Sequence, residues 1–252
     1  MNDIFYQDIN PDARNVILLI HGLGVNGTSW HYQIDDLINS GFRLIIPDLL
    51  GFGHSQYHNE EISILHSCQD IWQIIEYLDI KQLSIIGLSL GGVIAMQFSY
   101  MHPEIVKKLI VINSFAKIPL DSLKQRIYFK FRFLIAKLLP VKIQALFIGG
   151  ALFPNDKKFK KEFYQQMRLA NKIAYKKYLD ALIALNLTAD LKKITSQTLV
   201  ITTSGDRIIP KSCAEILARH INQAKLIELE GSHAAIADNA NKINKALLEF
   251  IK

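Results

Sequence analysis

A serine stands between two glycines where a predicted strand passes into a predicted helix. The pentapeptide is Gly87-Leu88-Ser89-Leu90-Gly91; the apolar residues 83–86 precede it, and the stretch 90–101, rich in apolar and small residues, follows. Glycines permit a sharp turn because they have no β-carbon, so the serine hydroxyl would stand clear of the backbone. The spacing predicts a nucleophilic serine, but ordinary strand-to-helix turns also contain Gly and Ser, so the prediction depends on partners elsewhere.

A carboxylate and a histidine follow two later predicted strands. Asp206 comes after the apolar stretch 199–202, and His233 comes after the predicted strand 225–230. A serine hydroxyl attacks at neutral pH when a histidine takes its proton, and a carboxylate holds that histidine in the required tautomer. We therefore predict Ser89 as the nucleophile, His233 as the general base and Asp206 as the residue that orients it.

The order Ser, Asp, His resembles that of the α/β-hydrolase superfamily. The stretch 21–24 (His-Gly-Leu-Gly) after the predicted strand 16–20, and the glycine-rich turn 47–55, are also similar to that family, and the resemblance covers almost the whole chain. The N-terminal hairpin of the family is abbreviated here to residues 4–10. The loop after Ile112 contains no acid, although some members place their carboxylate there, which favours Asp206.

The resemblance also implies which residues would form the oxyanion hole and which would bind the substrate. The backbone N–H groups of Leu23 and Leu90 would form the oxyanion hole that stabilises the tetrahedral intermediate. Substrate-binding candidates are Gly22, Trp30, Phe115 and Arg207. The aromatic pair could equally belong to the core, and Arg207 could lower the pKa of Asp206 or bind an anionic substrate. A serine at the nucleophile position favours carboxylic esters or thioesters as substrates.

Alternating predicted strands and helices indicate an α/β fold, with a mostly parallel central sheet covered by helices on both faces. The hydrolase core would comprise residues 1–114 and 194–252. Residues 115–193 turn helical without a comparable strand, and the resemblance implies that they form a lid inserted after the sixth strand of the family's sheet.

The predicted lid is strongly basic. Residues 116–193 contain seventeen Lys and Arg against five Asp and Glu, a net charge of +12, whereas the rest of the chain has twelve basic and eighteen acidic residues. Such an excess of charge has two explanations. The ordinary one is a solvent-exposed helix face, and the alternative is a surface that docks to an acidic protein or an anionic membrane. Residues 126–139 alternate basic and apolar side chains. The candidate docking residues are Lys157, Lys158, Lys160, Lys161, Lys172, Lys176 and Lys177.

Composition agrees with one globular domain and excludes several other classes. Half of the 252 residues are hydrophobic and 21% are charged, and no stretch of eighteen apolar residues predicts a membrane span. Met1 to Phe5 lack a secretory start, so we expect a cytoplasmic protein. Cys68 and Cys213 are expected to be buried thiols, and no residue spacing predicts a metal or another cofactor. Despite a pI of about 9.1, no motif predicts nucleic-acid binding.

The sequence thus predicts a serine esterase for short-to-medium acyl chains, acting through an acyl-enzyme on a small-molecule ester. Two narrower alternatives stay open. One is an esterase for the methyl ester of pimeloyl-acyl carrier protein in biotin synthesis, whose basic lid docks the acidic carrier. The other is a monoacylglycerol or lysophospholipid esterase at anionic membranes. A non-enzymatic, ligand-binding use of the same scaffold is the third alternative, and the oligomeric state is left open.

Overall fold

The computed structural model of the protein describes residues 4–118 and 123–252, without the side chains at 124, 125, 128, 132 and 136. Three predictions concern residues that lie partly outside that range: the expected absence of a secretory signal at Met1–Phe5, the predicted lid at positions 119–122, and the alternating stretch 126–139 at three of its side chains. In the described residues, no helix is both long and apolar enough to cross a membrane.

A seven-stranded sheet forms the centre of the molecule, in the order β1-β3-β2-β4-β5-β6-β7. Only β1 runs antiparallel to its neighbour β3, and it stands where the sequence predicts an abbreviated hairpin. The strands are β1 (Tyr6–Ile9), β2 (Asn15–Ile20), β3 (Phe42–Pro47), β4 (Leu83–Leu88), β5 (Val106–Ile112), β6 (Gln197–Thr203) and β7 (Lys225–Leu229).

Helices cover both faces of this sheet, which confirms the predicted fold class. They are α1 (His31–Asn39), α2 (Ile64–Tyr77), α3 (Leu90–Met101), α4 (Leu123–Leu138), α5 (Val141–Leu152), α6 (Lys157–Met167), α7 (Lys172–Ala184), α8 (Lys211–His220), α9 (Ala235–Asp238) and α10 (Ala240–Ile251). Short 3-10 turns at Gly27–Trp30 and Leu191–Lys193 precede α1 and β6. The 3-10 turn at Gly27–Trp30 therefore leads directly into α1.

The alternation of side chains along a strand explains why there are two cores. In β2, Leu18 and Ile20 belong to one apolar cluster, and Ile17 and Leu19 belong to the other. Neighbouring residues of a strand point to opposite faces, so an all-apolar strand must be covered on both sides. Helices α2, α3 and α8 cover the first face, and α1 and α10 cover the second.

Helices α4 to α7 lie between β5 and β6 in the chain, and we call residues 115–193 the helical insertion. An antiparallel bridge between Lys117 and Asn186 joins the start of the insertion to its last part. Buried side chains of the insertion, among them Phe129 and Tyr178, belong to the same apolar cluster as α2 and α3. The insertion therefore packs on the core beside α2 and the 3-10 turn Gly27–Trp30, and it meets Leu88 and Ser89 at the carboxyl end of β4.

Candidate active site

Ser89 occupies a strained turn between β4 and α3. Its backbone has φ 55° and ψ −114°, a left-handed region that a residue with a β-carbon enters only when the surroundings force it there. The Ser89 N–H donates to the Ile112 carbonyl at 2.9 Å, and Ser114 Oγ donates to the Ser89 carbonyl at 2.7 Å. The strand next to β4 thus fixes the turn from both sides of the serine.

The glycines of the pentapeptide are required by close backbone contact. A β-carbon on Gly91 would lie 2.1 Å from the Ile20 carbonyl oxygen, and one on Gly87 would lie 2.2 Å from the Gly91 carbonyl oxygen. Both distances are far below van der Waals contact, so any larger residue would push α3 away from β2 and β4. The first and last residues of the motif therefore allow the tight turn that presents Ser89.

The structure brings Asp206 and His233 into contact across the ends of β6 and β7. His233 Nδ1 lies 2.7 Å from Asp206 Oδ2; the Asp206 side chain is almost fully buried, and the His233 side chain is 12% exposed. The other carboxylate oxygen of Asp206 accepts from the N–H groups of Ile208 at 2.7 Å and Ile209 at 2.9 Å. Because the carboxylate is held by its own loop, it can fix the tautomer and orientation of the imidazole.

Asn113, whose site role the sequence analysis did not identify, supports the His233 loop. Its side-chain Nδ2 lies 2.9 Å from Thr203 Oγ1 and 3.2 Å from the carbonyl oxygens of Ser232 and His233. Its φ of 47° is left-handed, which asparagine tolerates better than most residues. Asn113 therefore connects the end of β5 to the histidine. The available signal in the sequence was that this loop has an asparagine where some members of the family place their catalytic carboxylate.

The loop after β2 lies against the serine turn. A β-carbon on Gly22 would lie 3.7 Å from Ser89 Cβ, and Leu23 lines the same cavity as Ser89. Leu90 is the first residue of α3, where backbone N–H groups have no acceptor within the helix and favour negative charge. The two predicted donors of the oxyanion hole thus belong to segments that meet at Ser89.

His21 holds this loop in place and is itself fully buried. Its Nε2 accepts a hydrogen bond from the Leu49 N–H at 2.9 Å, so the ring proton is on Nδ1 and donates to the Gly22 carbonyl at 2.8 Å. Burial lowers the pKa of His21, and its contact with the Gly22 carbonyl opposes that effect only in part. The residue acts as a neutral structural link between two loops.

Ser89 and His233 open into one cavity of about 1170 Å³, counting the space at its mouth. Most of its walls are apolar and come from both the core and the helical insertion. Core residues at the wall include Val25 and Ile208, and insertion residues include Phe115, Phe129, Phe133, Phe153, Phe163, Met167 and Leu179. An apolar chain attached to an ester carbonyl fits such walls.

A few polar groups interrupt the apolar wall. Ser29 Oγ and Gln166 Oε1 are buried without a hydrogen-bond partner, and both residues line the cavity. Nearby, Tyr32 Oη donates to Glu162 at 2.9 Å. Buried polar atoms without partners are costly, so a ligand with one hydrogen-bonding group would be favoured there.

Two of the four predicted substrate-binding residues lie at this cavity and two lie elsewhere. Gly22 and Phe115 line it. Trp30 is fully buried in the apolar cluster on the opposite face of the sheet, because it ends the 3-10 turn that packs beneath α1. Arg207 is exposed, and only its neighbours Ile208 and Ile209 reach the wall.

The seven predicted docking lysines lie on α6 and α7. Lys157, Lys158, Lys161 and Lys172 are exposed, and the other three are partly buried. Lys158 stands over the Tyr32 ring at 5.2 Å, and Lys177 stands over Tyr57 and donates to the Glu60 carbonyl at 3.1 Å. These two lysines are therefore engaged in packing the insertion onto the core.

Cys68 and Cys213 are free and buried in α2 and α8, as expected for structural thiols, and burial raises the pKa of Cys68 well above its usual range. Among the described residues, no three His, Cys, Asp or Glu side chains come together as metal ligands would.

Comparison with known proteins places this geometry in a family. The model for the alpha/beta hydrolase fold matches residues 15–240. An uncharacterized protein of Mycobacterium tuberculosis H37Rv, Rv2715, is 39% identical over 98 residues, but the match covers 39% of this chain and only 28% of that protein. A 2-hydroxy-6-oxononadienedioate/2-hydroxy-6-oxononatrienedioate hydrolase of Pseudomonas putida is 26% identical over 275 residues, covering 99% of this chain and 92% of the relative.

A solved structure shows the same fold at low identity. An esterase from Exiguobacterium antarcticum superimposes with a TM-score of 0.89 at 22% identity, covering 98% of this chain and 95% of the esterase. The family match spans both the turn at Ser89 and the loop at Asp206, and it extends past His233. This chain belongs to the α/β hydrolase fold family.

Proposed function

We propose that the protein is a serine hydrolase that cleaves carboxylic esters of short-to-medium acyl chains through an acyl-enzyme intermediate. The observation that supports this most strongly is the strained turn at Ser89. Ser89 lines the same cavity as His233, and Nδ1 of that histidine lies 2.7 Å from the buried carboxylate of Asp206. Backbone strain at a polar residue that faces a cavity is typical of functional sites.

The proposed reaction begins with proton transfer. His233 Nε2 takes the proton of Ser89 Oγ as that oxygen attacks the ester carbonyl, and Asp206 stabilises the imidazolium that forms. The carbonyl oxygen becomes negative and accepts hydrogen bonds from the N–H groups of Leu23 and Leu90. Loss of one such donor would cost about 3 kcal/mol in the barrier.

The second half of the reaction returns the enzyme. His233 gives its proton to the alcohol oxygen as the carbon–oxygen bond breaks, which leaves the acyl group on Ser89. A water molecule, deprotonated by His233, then attacks the acyl carbonyl and releases the acid. Neither step requires a cofactor.

The cavity supports an ester with an apolar acyl chain. Its walls are mainly aliphatic and aromatic, and Ser29 and Gln166 each offer a polar atom without a hydrogen-bond partner. The structural similarity to an esterase agrees with this substrate class, although at 22% identity it supports the fold alone. The Pseudomonas putida relative is named for another hydrolysis, so the ester must be tested directly.

The test is hydrolysis of p-nitrophenyl esters from acetate to palmitate by the wild-type protein. We expect turnover with an optimum between about four and ten carbons, because longer chains must displace the insertion residues at the wall. Reaction with a fluorophosphonate, followed by peptide mass spectrometry, should place the adduct on Ser89. Modification of another serine, or hydrolysis that a fluorophosphonate does not block, would contradict the proposal.

A further inference from the structure

Exposed large apolar side chains are concentrated on two consecutive helices of the insertion. Of fifteen such residues in the described part of the chain, nine lie on α4 and α5. They are Leu123, Ile127, Phe131, Leu134, Ile135, Leu138, Ile143, Leu146 and Phe147, with exposed fractions between 37% and 73%. Single exposed apolar residues are normal, but a concentration of this size marks an interaction surface.

The helical spacing aligns these residues. In α4, Leu123, Ile127, Phe131, Leu134 and Leu138 follow each other at intervals of four, four, three and four residues. At about 100° per residue, these positions form one stripe along the helix. In α5, Ile143, Leu146 and Phe147 have the same relation. Both helices thus expose an apolar stripe.

Helix α4 has a second apolar side that is already in use. Phe129 is buried, and Phe133 is partly buried; both line the cavity that contains Ser89. The exposed stripe therefore cannot be explained as the side by which α4 packs onto the core. It needs a partner outside the described structure.

Cations follow one edge of the α4 stripe. Arg126, Lys130 and Lys137 are spaced by four and seven residues, and Lys142 is exposed at the start of α5. Lys137 forms an ion pair with Asp180. The surrounding residues 116–193 have a net charge of +12, against −6 for the rest of the chain, so this end of the molecule would turn toward a negative surface.

We propose that α4 and α5 form a docking surface for an anionic lipid membrane. The apolar stripes would enter the boundary between headgroups and acyl chains, and Arg126, Lys130 and Lys142 would lie among the phosphates. Exposed apolar residues beside a row of cations are what an interfacial helix requires.

Two other occupants fit these observations less well. A second copy of the chain would bring the cations of one α4 against those of its symmetry mate, since an isologous interface places the same surface on both sides. An acidic carrier protein would complement the positive charge of the insertion. Its acidic surface would not bury the nine large apolar side chains that α4 and α5 expose.

The docking surface also suggests where the substrate comes from, a step that rests on the proposed esterase function. The α4 helix presents one side to the membrane and the other side, through Phe129 and Phe133, to the cavity. A single-chain ester of a medium-length acyl group that leaves the bilayer would therefore reach Ser89 along apolar walls. Membrane docking itself does not depend on that step.

The test is flotation of the full-length protein with vesicles of phosphatidylcholine alone or mixed with phosphatidylglycerol. We expect binding to the mixed vesicles, weak binding to the neutral ones, and loss of binding as salt screens the charge. Replacing Phe131→Ser together with Leu134→Ser should weaken binding by about tenfold or more. The matched control is Tyr77→Ser, which removes a side chain that lies on the core and is 77% exposed. This variant should bind the vesicles like the wild-type protein.

Charge variants test whether the cations beside the apolar stripes contribute to membrane binding. Lys130→Gln and Lys142→Gln should each lower the affinity for mixed vesicles by about fivefold, and Lys225→Gln, on the sheet edge away from the insertion, should not. Hydrolysis of a soluble p-nitrophenyl ester, measured for every variant, reports folding and the proposed esterase function separately from docking.

The results separate the possible occupants. Equal binding to neutral and anionic vesicles, or no binding by the wild-type protein, would overturn the proposal. So would a dimer in solution that Phe131→Ser and Leu134→Ser dissociate, or saturable binding to an acidic acyl carrier protein without vesicle binding. Vesicle binding by a protein without esterase activity would support docking and contradict only the proposed function.

Discussion

The ring of Tyr175, on α7 of the insertion, packs directly against Gly24 in the loop after β2. A β-carbon on Gly24 would lie 2.9 Å from Tyr175 Cε2 and 3.4 Å from Met167 Cγ. Gly24 also has a left-handed φ of 79°. The insertion and the loop that contains Leu23 are thus in contact at a position where only glycine fits.

We predict that Gly24→Ala will lower kcat/KM for a p-nitrophenyl ester by about 100-fold, because the new methyl group must displace Tyr175 or move the Leu23 N–H. The control is Gly41→Ala, which has a similar φ of 85° but no atom within 4 Å of the added carbon. Gly41→Ala should cost about 1–2 kcal/mol in unfolding free energy and leave kcat/KM unchanged. Equal losses of activity in both variants would refute the contact argument.

Asp206→Asn tests whether the carboxylate orients His233. The amide is nearly the same size, but its NH₂ group would favour the wrong tautomer of the histidine, so kcat should fall by about 10³-fold or more. The matched variant is Asp238→Asn, an exposed carboxylate that accepts from the Ser232 N–H at 3.0 Å in the same loop region. Its kcat should stay within a few-fold of wild type; a similar loss there would mean that any change in the loop is harmful.

Asn113 is predicted to be a positioning residue. In Asn113→Asp the side chain keeps its shape and tolerates the left-handed φ, but an oxygen replaces the Nδ2 donor to the Ser232 and His233 carbonyls. We expect kcat to fall by about tenfold or more with little change in KM, because the histidine shifts while the cavity wall stays intact.

The control for Asn113→Asp is Asn10→Asp. Asn10 also has a left-handed φ, 59°, and its Nδ2 donates to the Phe42 carbonyl at 3.0 Å, far from the cavity. If both variants lose stability equally and neither loses kcat, Asn113 contributes only to folding.

We predict that buried His21 makes the folding stability of the protein depend on pH. Burial lowers its pKa below the ordinary value of 6.5, so the unfolded chain binds a proton that the folded chain does not. The contribution of neutral His21 is complete above about pH 6.5 and is lost as the pH falls below that value. Tm should therefore drop between pH 7 and pH 5, and His21→Asn should lower Tm at pH 7 but flatten this drop. An unchanged slope in the variant would show that other groups control the acid limb.

The fold could be predicted from the sequence because its parallel strands are uninterrupted apolar runs. Residues 16–20 and 109–112 had to be covered on both faces, and a covering helix lies next to each in the chain, α1 after the first and α3 before the second. The strand boundaries were predicted less closely: β5 begins at Val106, three residues before the apolar run, and its first residues include Lys107 and Lys108, which lie exposed or partly buried at the amino-terminal end of this internal strand. The polar lysines gave no strand signal.

The candidate site was predictable where it depends on local turns and not where it depends on packing. Ser89, Asp206 and His233 each follow a strand, so the parallel sheet brings them to one edge. Trp30 was a substrate-binding candidate with the core as the alternative, and the structure places it in the core; the direction of its side chain depends on how α1 packs, which periodicity does not determine. The hydrogen bonds of Asn113 connect residues about 90 and 120 positions apart, and no local pattern contains them.

The turnover of a p-nitrophenyl ester by Ser89→Ala, compared with Ser99→Ala, tests the serine mechanism most directly. Ser99 is a buried serine of α3 whose hydroxyl donates to the Ala95 carbonyl at 2.7 Å. We predict that Ser89→Ala loses at least about 10³-fold in kcat while remaining folded, and that Ser99→Ala keeps its activity. A Ser89→Ala protein that hydrolyses the ester at the wild-type rate would contradict the serine mechanism.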